Sequence, residues 1–537
     1  MEERKLLEEI LSKLGRLEEQ SAATLQKLEA RIEALEAGAR EEAVEPLSVE
    51  LKSRALTLDA PENEGVILCL DFGTARSKAF GTASGVLLDL AIGDRAGQGG
   101  AAHSLLSCLF ISDEGRIYFG ELAAAKSEIP VSRNGRKRVD SIKGMITNSA
   151  PGSDLTQIRC DLAMNPTRNG LSEGDLLTLY LAYLTDMAAL ELSERHGLSR
   201  YVSRRFTTPV FGSEQRKWAD ETLRDHYCEA VLVADQFSGR WNDGIDANEA
   251  LRVVRAARKH KSQLRYLTDI QVVEPVAAFS SRFRDFQPTA ERRLLITVVD
   301  AGAGTTDFAT FAVTQNPSSG LSMFTVMGSI HVFKKAGNEI DRILREHILD
   351  QVRTKHVGVD KDTMSRIEAQ LSLDQRRIKE QLFRDERCEY LLADGTRGAV
   401  VLDEFLQLEA IEQFEGELRS EFEQSLKGMD SSWLRECGKY ELHIVATGGS
   451  AELPMVSNLG KLMLNVNGVQ TQCLRMPPIP SWVENDHPEL RSQYAQLAVA
   501  IGGSQQVLPG NSEKQFEEFG GLGETGKWVI KPALKGS

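Results

Sequence analysis

The stretch Leu294–Phe311, LLITVVDAGAGTTDFATF, places acidic, glycine and hydroxyl residues between two apolar runs. This pattern predicts a strand that ends at Asp300, a tight turn and a second strand. Gly302 and Gly304 can adopt positive φ and lack a Cβ atom, so backbone N–H groups in the turn can point at an anion. The carboxylates of this stretch would repel a phosphate, which implies a divalent cation such as Mg²⁺ between them. An ordinary glycine hairpin explains this stretch alone equally well.

A second stretch, VILCLDFGTARSKAFGT at 66–82, repeats this plan. An apolar run ends at Asp71, Gly73 and Thr74 occupy a predicted turn, and a second apolar run follows. Because the same order of residue types occurs twice, a chance hairpin becomes a much weaker explanation. Two such hairpins facing each other could clamp a polyphosphate and one metal ion from both sides.

A third candidate is Glu274, which ends the short apolar run IQVVEP before a predicted helix. A carboxylate fixed at the end of a strand beside a phosphate site could orient an attacking water molecule. The alternative is a glutamate at a helix start that is favoured only by the helix dipole.

The composition is typical of a folded protein that could position such residues on several elements. The chain has 537 residues, 41% hydrophobic and 26% charged, so we expect several domains or one large two-lobed core. The net charge of −14 argues against binding nucleic acid or anionic membranes through bulk charge. The seven cysteines include no C-x-x-C pair and the nine histidines no H-E-x-x-H motif, so neither a zinc site nor a disulfide framework is expected.

The sequence shows no targeting or membrane segment. The charged N-terminus lacks the apolar core of a secretory signal, and no run reaches the roughly 18 apolar residues of a membrane helix. The most apolar helical stretch, Leu176–Leu192, contains Asp186 and Glu191 and predicts a core helix. We therefore expect a cytoplasmic protein that does not bind membranes.

Residues 1–40 have a pattern of their own. Leu7, Leu14, Leu28 and Leu35 share one seven-residue register, and charged or polar residues fill most other positions. This predicts a short coiled coil with one register shift, which would mediate self-association or bind a protein partner. A single solvated amphipathic helix is the alternative.

Two segments predict little structure of their own. Residues 41–64 contain two prolines and many acidic residues, which is typical of a linker. Residues 506–537 are rich in glycine and polar residues and predict a flexible tail.

Taken in order, the motifs resemble those of the actin-like ATPase superfamily, and most closely the nucleotide-binding domain of the heat-shock seventy-kilodalton chaperone family. The resemblance covers about residues 65–505. DFGTARSKAF and DAGAGTTDF resemble its two phosphate motifs, SIKGM the segment with its catalytic lysine, and VVEPVAAF the segment with its water-orienting glutamate. AGNEID resembles its connecting segment, and ATGGSAELP its adenosine motif.

The resemblance implies an α/β actin-like ATPase fold with two lobes, each with a ribonuclease-H-like core, around a nucleotide cleft. Lobe I would span about 65–297 and lobe II about 298–505.

The resemblance also implies roles for individual residues. Asp71 and Asp300 would hold Mg²⁺ through waters, Lys143 would stabilise the γ-phosphate, and Glu274 would place the attacking water. Thr305 would act with these catalytic residues. The residues implied to contact the nucleotide are Gly73, Thr74, Gly302, Ala303, Gly304, Thr305, Thr306, Gly337, Lys379, Gly448, Gly449 and Ser450.

The sequence departs from the family pattern at four positions. Ala75 replaces the second threonine of the first phosphate motif, and Arg376 replaces a glutamate. Glu380 and Glu452 stand where the chaperones have the two arginines that sandwich adenine, so the resemblance does not extend to these contacts with the base. About thirty residues follow the matched region, too few for the family's peptide-binding sandwich.

We therefore expect ATP binding with slow, Mg²⁺-dependent hydrolysis to ADP and phosphate, without a peptide-binding domain. The coiled coil at 1–40 would transmit the nucleotide state to a partner. One alternative is a nucleotide-binding scaffold or actin-like filament protein with little turnover. A small-molecule kinase of the same superfamily is a third possibility.

Overall fold

The structure is a computed structural model that describes residues 49–511, except 270, 287–289, 319 and 356–359. The predicted coiled coil, residues 41–48 of the predicted linker and 512–537 of the predicted tail lie outside the described residues. The chain divides into two units after Val49, and all the elements below belong to the second unit, Glu50–Ser537.

The described strands form two large sheets, one smaller sheet and one hairpin. In chain order they are β1 Val66–Asp71, β2 Arg76–Ala83, β3 Val86–Leu88, β4 Ser104–Leu106, β5 Cys108–Ile111, β6 Arg116–Phe119, β7 Val139–Asp140, β8 Ser203–Thr208, β9 Ile245–Asp246, β10 Val272–Val273, β11 Arg292–Ala301, β12 Thr306–Asn316, β13 Gly320–Thr325, β14 His331–Phe333, β15 Arg387–Leu391, β16 Arg397–Val401, β17 Glu441–Thr447, β18 Met463–Val466, β19 Val469–Arg475 and β20 Gly510–Asn511.

The two large sheets repeat one arrangement. The first sheet has the order β10-β8-β1-β2-β3, and the second β18-β19-β17-β11-β12-β13-β20. In each, three consecutive strands pair antiparallel (β1 to β3, and β11 to β13). Two later strands then continue the sheet in parallel on the other side of β1 or β11. The first strand of each set is therefore central. Strand β1 ends with the predicted aspartate Asp71, and β11 ends one residue after Asp300, at Ala301.

The described helices pack against these sheets, so the chain has a mixed α/β fold, as predicted. They are α1 Ile92–Ala96, α2 Gly120–Asn134, α3 Gly144–Thr147, α4 Glu173–His196, α5 Ser213–Phe237, α6 Ala247–Arg258, α7 Glu274–Ser280, α8 Gly337–Lys355, α9 Lys361–Asp385, α10 Leu402–Leu406, α11 Glu409–Lys427, α12 Pro454–Asn458, α13 Ser481–Asp486 and α14 Tyr494–Gly503. Short 3₁₀ helices cover Arg54–Thr57, Trp241–Asp243, Lys261–Leu267, Phe283–Asp285, Leu459–Lys461 and Pro488–Leu490, and Trp433–Cys437 is a π-helix.

Helix α4 confirms the predicted core helix. It begins with a capping box between Ser172 and Asp175 and ends at Gly197 in the left-handed conformation. In the described part of the chain, it is the one helix whose length and hydropathy would suit a membrane span, and 89% of that window is buried inside the fold. A core helix passes the same test, so this is weak evidence for a membrane segment.

Helices α7 and α14 cross at close contact between the two large sheets. Helix α14 contacts strands of both sheets, and it shares one apolar core with residues such as Phe80 of the first sheet and Val298 of the second. A Cβ atom on Gly502 of α14 would lie 1.7 Å from the carbonyl oxygen of Ala277 in α7. This crossing fixes helix α7, and with it Glu274 at its first position.

The described part of the predicted linker packs on the helices of the first sheet. The hydroxyl of Ser53 donates to Asp235, the Tyr266 hydroxyl donates to the carbonyl of Ala55, and Ala55 is buried. These single contacts have no periodicity, so the sequence pattern gives no sign of them.

The described end of the chain crosses from one sheet to the other. After α14, Thr82 donates to the carbonyl of Ser504, and Arg205 donates to the carbonyl of Gln505 at 2.7 Å. Five residues later, Gly510–Asn511 pairs in parallel with Phe324–Thr325 of β13.

The helix crossing predicts a large cost for a methyl group on Gly502. Because the Cβ atom would overlap backbone atoms of α7, we expect Gly502→Ala to lower the free energy of unfolding by about 3 kcal/mol or more. The control is Gly416→Ala on α11, where a Cβ atom meets nothing within 4 Å and alanine should raise stability by about 1 kcal/mol. Urea unfolding followed by tryptophan fluorescence measures both. Equal midpoints for Gly502→Ala and the unaltered protein would contradict the close crossing.

Candidate functional site

One cavity between the two hairpin turns brings together almost all the predicted site residues. Those that line it are Asp71, Gly73, Thr74, Lys143, Glu274, Asp300, Gly302, Ala303, Gly304, Thr305, Gly337, Lys379, Gly448, Gly449 and Ser450. The exception is Thr306, which is buried at the first position of β12 and donates its hydroxyl to the carbonyl of Lys335 at 2.9 Å. The structure therefore gives Thr306 a bond within the protein and places it outside the cavity lining.

Each central strand holds its aspartate in the same way. Thr207 of β8 donates to Oδ1 of Asp71 at 3.1 Å, and Thr447 of β17 donates to Oδ1 of Asp300 at 3.1 Å. Both threonines lie on the strand that runs parallel to the central strand. The repeated sheet arrangement thus orients two buried carboxylates into one cavity.

The residue opposite each aspartate differs between the two hairpins. Lys78 lies opposite Asp71 on β2 and donates to its Oδ2 at 3.1 Å. Asp307 lies opposite Asp300 on β12. The first hairpin therefore pairs its carboxylate with a cation, whereas the second places two carboxylates on the same pair of strands.

Asp307 is a site residue that the sequence reasoning did not select. It is buried, accepts a hydrogen bond at 3.0 Å from the N–H of Val210, and accepts a second at 2.8 Å from the hydroxyl of Thr305. The signal that could have found it is symmetry. In an antiparallel hairpin, residues at equal distances from the turn lie directly opposite each other, with side chains on one face.

Lys143 and Glu274 form a buried ion pair at the cavity wall. The Lys143 ammonium donates to Oε1 of Glu274, and both side chains are more than nine-tenths buried. Burial alone would lower the pKa of Lys143, but the carboxylates of Glu274 and Asp71 outweigh burial and raise it, so the lysine stays protonated.

Three buried carboxyl groups at and beside the cavity, those of Asp300, Glu274 and Asp307, are harder to ionise than ordinary ones. Burial, followed by the charges of Glu274 and Asp71, raises the pKa of Asp300 to about 7. Burial also raises the pKa of Glu274 above its ordinary value, and burial with the charge of Glu274 raises that of Asp307 well above its ordinary value. Together with Asp71 these make four buried carboxyl groups, and the ammonium groups of Lys78 and Lys143 pair with two of them.

This arrangement fits a hydrated divalent cation by its charge and its donors. In the described parts of the chain, no group of three or more histidine, cysteine, aspartate or glutamate residues is placed to hold a metal directly. Mg²⁺ usually keeps several waters and uses one or two carboxylates together with phosphate oxygens. Asp71 and Asp300 can supply such donors, and a cation there would offset the surplus negative charge.

The far end of the cavity is built by Gly337, Lys379 and the turn after β17. Lys379 donates to the carbonyl of Gly337 at 2.9 Å and pairs with Asp341 at 2.9 Å. Burial, the largest cause, lowers the pKa of Lys379. Ser450 donates its hydroxyl to the carbonyl of Gly302 at 2.9 Å, which ties this end to the second hairpin turn.

The positions that depart from the family pattern lie in different places. Ala75, Arg376 and Glu380 line the cavity. Glu452 instead pairs with Arg475 at 3.1 Å on the surface and is not among the lining residues. Of the two glutamates in question, only Glu380 can therefore contact a ligand from the cavity wall.

Comparison of the sequence with models of protein families and with curated proteins gives no match.

The raised pKa of Asp300 predicts a pH-dependent stability. The folded state binds this proton more tightly than the unfolded state, so stability falls as pH rises from about 4 to about 7. We expect the free energy of unfolding of Asp300→Asn to fall by up to about 4 kcal/mol less over this pH range than that of the unaltered protein. Three pKa units correspond to that energy. Thermal melts at pH 5 and pH 8, without divalent ions, measure the difference.

Asp243→Asn, at an exposed position, is the control and should follow the unaltered protein. Added Mg²⁺ should raise the melting temperature of the unaltered protein at pH 8 and have less effect on Asp300→Asn. Identical pH profiles for Asp300→Asn and the unaltered protein would contradict the assigned environment.

Proposed function

We propose that the chain binds ATP with Mg²⁺ in this cavity and hydrolyses it slowly to ADP and phosphate. The observation that carries the proposal is the meeting of two glycine hairpin turns with a buried Lys143–Glu274 pair in one cavity. Glycine turns offer backbone N–H groups to anions, and a lysine beside them adds the positive charge that phosphoryl transfer requires.

The repeated sheets support a more specific part of the proposal. Two sheets with the same strand order and directions flank one cavity, as expected for two lobes with ribonuclease-H-like cores. We therefore propose an actin-like ATPase fold, most similar to the nucleotide-binding domain of the heat-shock seventy-kilodalton chaperones.

The turns would bind the phosphates from both sides. Gly73 and Thr74 approach from the first hairpin, and Gly302, Gly304 and Thr305 from the second. A Cβ atom on Gly304 would lie 3.3 Å from the Thr74 hydroxyl, so the two turns are close neighbours. Mg²⁺, when bound beside Asp71 and Asp300, would neutralise part of the phosphate charge.

Lys143 and Glu274 would have different roles in hydrolysis, one toward the phosphate and one toward the water. Lys143 stays protonated and can donate to a terminal phosphate oxygen. The raised pKa of Glu274 brings its carboxylate closer to the basicity that a general base needs near neutral pH, so it can orient a water molecule and accept its proton.

The same proposal includes how the nucleotide state would affect a protein partner. The predicted coiled coil at 1–40 would couple the nucleotide state to a protein partner or to self-association, in the cytoplasm. A variant that lacks residues 1–45 should lose partners that the full chain retains in pull-down experiments.

A nucleotide-binding scaffold or filament protein with little turnover is the second candidate. Ala75 lines the cavity without the hydroxyl that the family pattern has there, and Glu380 occupies the end where the family places an arginine. Electron microscopy with and without ATP separates filaments from discrete oligomers.

The hydrolysis proposal predicts that Glu274→Gln separates turnover from binding. The amide keeps the shape of the side chain but cannot accept a proton, so we expect phosphate release to slow about 100-fold with ATP affinity changed less than about threefold. Glu436→Gln, at an exposed glutamate away from the cavity, should leave both unchanged. Equal single-turnover rates for Glu274→Gln and the unaltered protein would rule out the assigned role.

The binding site itself is tested at Gly449. A Cβ atom there meets nothing within 4 Å of protein, and Gly449 lines the cavity, so a larger side chain fills ligand space without a clash. We expect Gly449→Leu to weaken ATP affinity more than tenfold while the melting temperature stays within a few degrees. Gly416→Leu, at an open glycine that does not line the cavity, is the matched control. Calorimetric titration that gives equal affinities for both variants would contradict nucleotide binding at this place.

A further inference from the structure

Ser107 makes two hydrogen bonds to the backbone of the first hairpin turn. This residue is buried between β4 and β5. Its hydroxyl donates to the carbonyl oxygen of Gly73 at 2.7 Å, and its backbone N–H donates to the carbonyl oxygen of Ala75 at 2.9 Å. Ser107 therefore binds the backbone on both sides of Thr74.

The bond to Gly73 fixes the direction of the next N–H group. In a planar trans peptide, the carbonyl of one residue and the N–H of the following residue point in opposite directions. With the Gly73 carbonyl turned toward Ser107, the N–H of Thr74 points away from Ser107. Gly73 and Thr74 line the cavity and Ser107 does not, so the side away from Ser107 is the cavity side.

Two further buried hydroxyl groups support Ser107. Its oxygen lies 3.0 Å from the hydroxyl of Ser77, and the hydroxyl of Tyr180 lies 3.0 Å from that of Ser77. The Gly73 carbonyl can only accept, so Ser107 must donate to it. Ser77 must then donate to Ser107, and Tyr180 can donate to Ser77. The Tyr180 hydroxyl also lies 3.1 Å from the carbonyl oxygen of Leu106 and 3.3 Å from the hydroxyl of Ser107, so α4 supports this group of buried hydroxyls.

We propose that Ser107 is a positioning residue that aims the Thr74 N–H at the phosphate groups of a bound nucleotide. The inference rests on the proposed function, because it concerns the same cavity. A backbone donor that is already oriented need not reorganise when an anion binds, and this preorganisation favours phosphate-bearing ligands. Ser107 itself touches no ligand and acts through the backbone of Gly73.

The test is Ser107→Ala, which removes the hydroxyl and leaves the N–H bond to Ala75. Calorimetric titration with Mg²⁺ should give about tenfold weaker binding of ADP and ATP and unchanged binding of adenosine. A purely structural role would weaken all three ligands together. The matched control is Ser425→Ala, at a buried serine that donates to the carbonyl of Phe422 at 2.7 Å, and it should leave all three affinities unchanged.

Amide hydrogen exchange of the ligand-free protein tests the role of Ser107 in a way that does not depend on nucleotide binding. We expect the peptide covering 71–78 to exchange faster in Ser107→Ala than in the unaltered protein. Equal exchange, or an equal loss of affinity for adenosine and ADP, would overturn the role of Ser107. An unaltered protein that binds no nucleotide would contradict the proposed function, and the exchange comparison would still decide on Ser107.

Ser77→Ala is a second variant that tests the proposal even if Ser107→Ala does not fold. It removes the group that donates to Ser107 but leaves the bond to Gly73 in place, so we expect a smaller change in the same direction. No change in either exchange or ADP affinity for Ser77→Ala, with Ser107→Ala unfolded, would overturn the proposal.

Discussion

The rest of this structure depends on four buried carboxyl groups at and beside the cavity, those of Asp71, Glu274, Asp300 and Asp307, of which two are paired with an ammonium group. Buried charges of one sign repel each other strongly in a medium of low dielectric constant, so each must be protonated, paired or matched by a bound cation. Lys78 is fixed to Asp71 and Lys143 to Glu274, which leaves Asp300 and Asp307 without an ammonium partner. Without a ligand, the raised pKa values of these two carboxyl groups favour their protonated forms, and a cation bound beside them would favour the charged forms.

The repeated sheet arrangement makes this concentration of charge possible. Each sheet has a central strand that ends at the cavity, and each has a parallel neighbour whose threonine orients the aspartate. The crossing of α7 and α14 then joins the two sheets and fixes Glu274 relative to both. The site is thus produced by elements that are distant in sequence, joined by one apolar core between the two sheets.

The sequence could predict the parts of the site that depend on local pattern. Apolar runs that stop at Asp-containing glycine turns give both hairpins, and a strand that ends at Glu274 before a helix is visible in the same way. Thr305 and Thr306 could not be separated, because the choice between turn and strand at one residue decides which hydroxyl faces the cavity. Ser107 could not be found at all, because its bond to Gly73 joins residues 34 positions apart through side-chain and backbone geometry.

The chain after α14 also limits how far the two sheets can separate. Its carbonyl groups are held by Thr82 and Arg205 on the first sheet, and five residues later it pairs with β13 of the second. A fully extended chain spans at most about 3.5 Å per residue, so the anchors at Gln505 and Gly510 can be no more than about 18 Å apart. The segment works as a strap of fixed length. Moving these two anchors farther apart than that length requires the chain to detach from one of the two sheets.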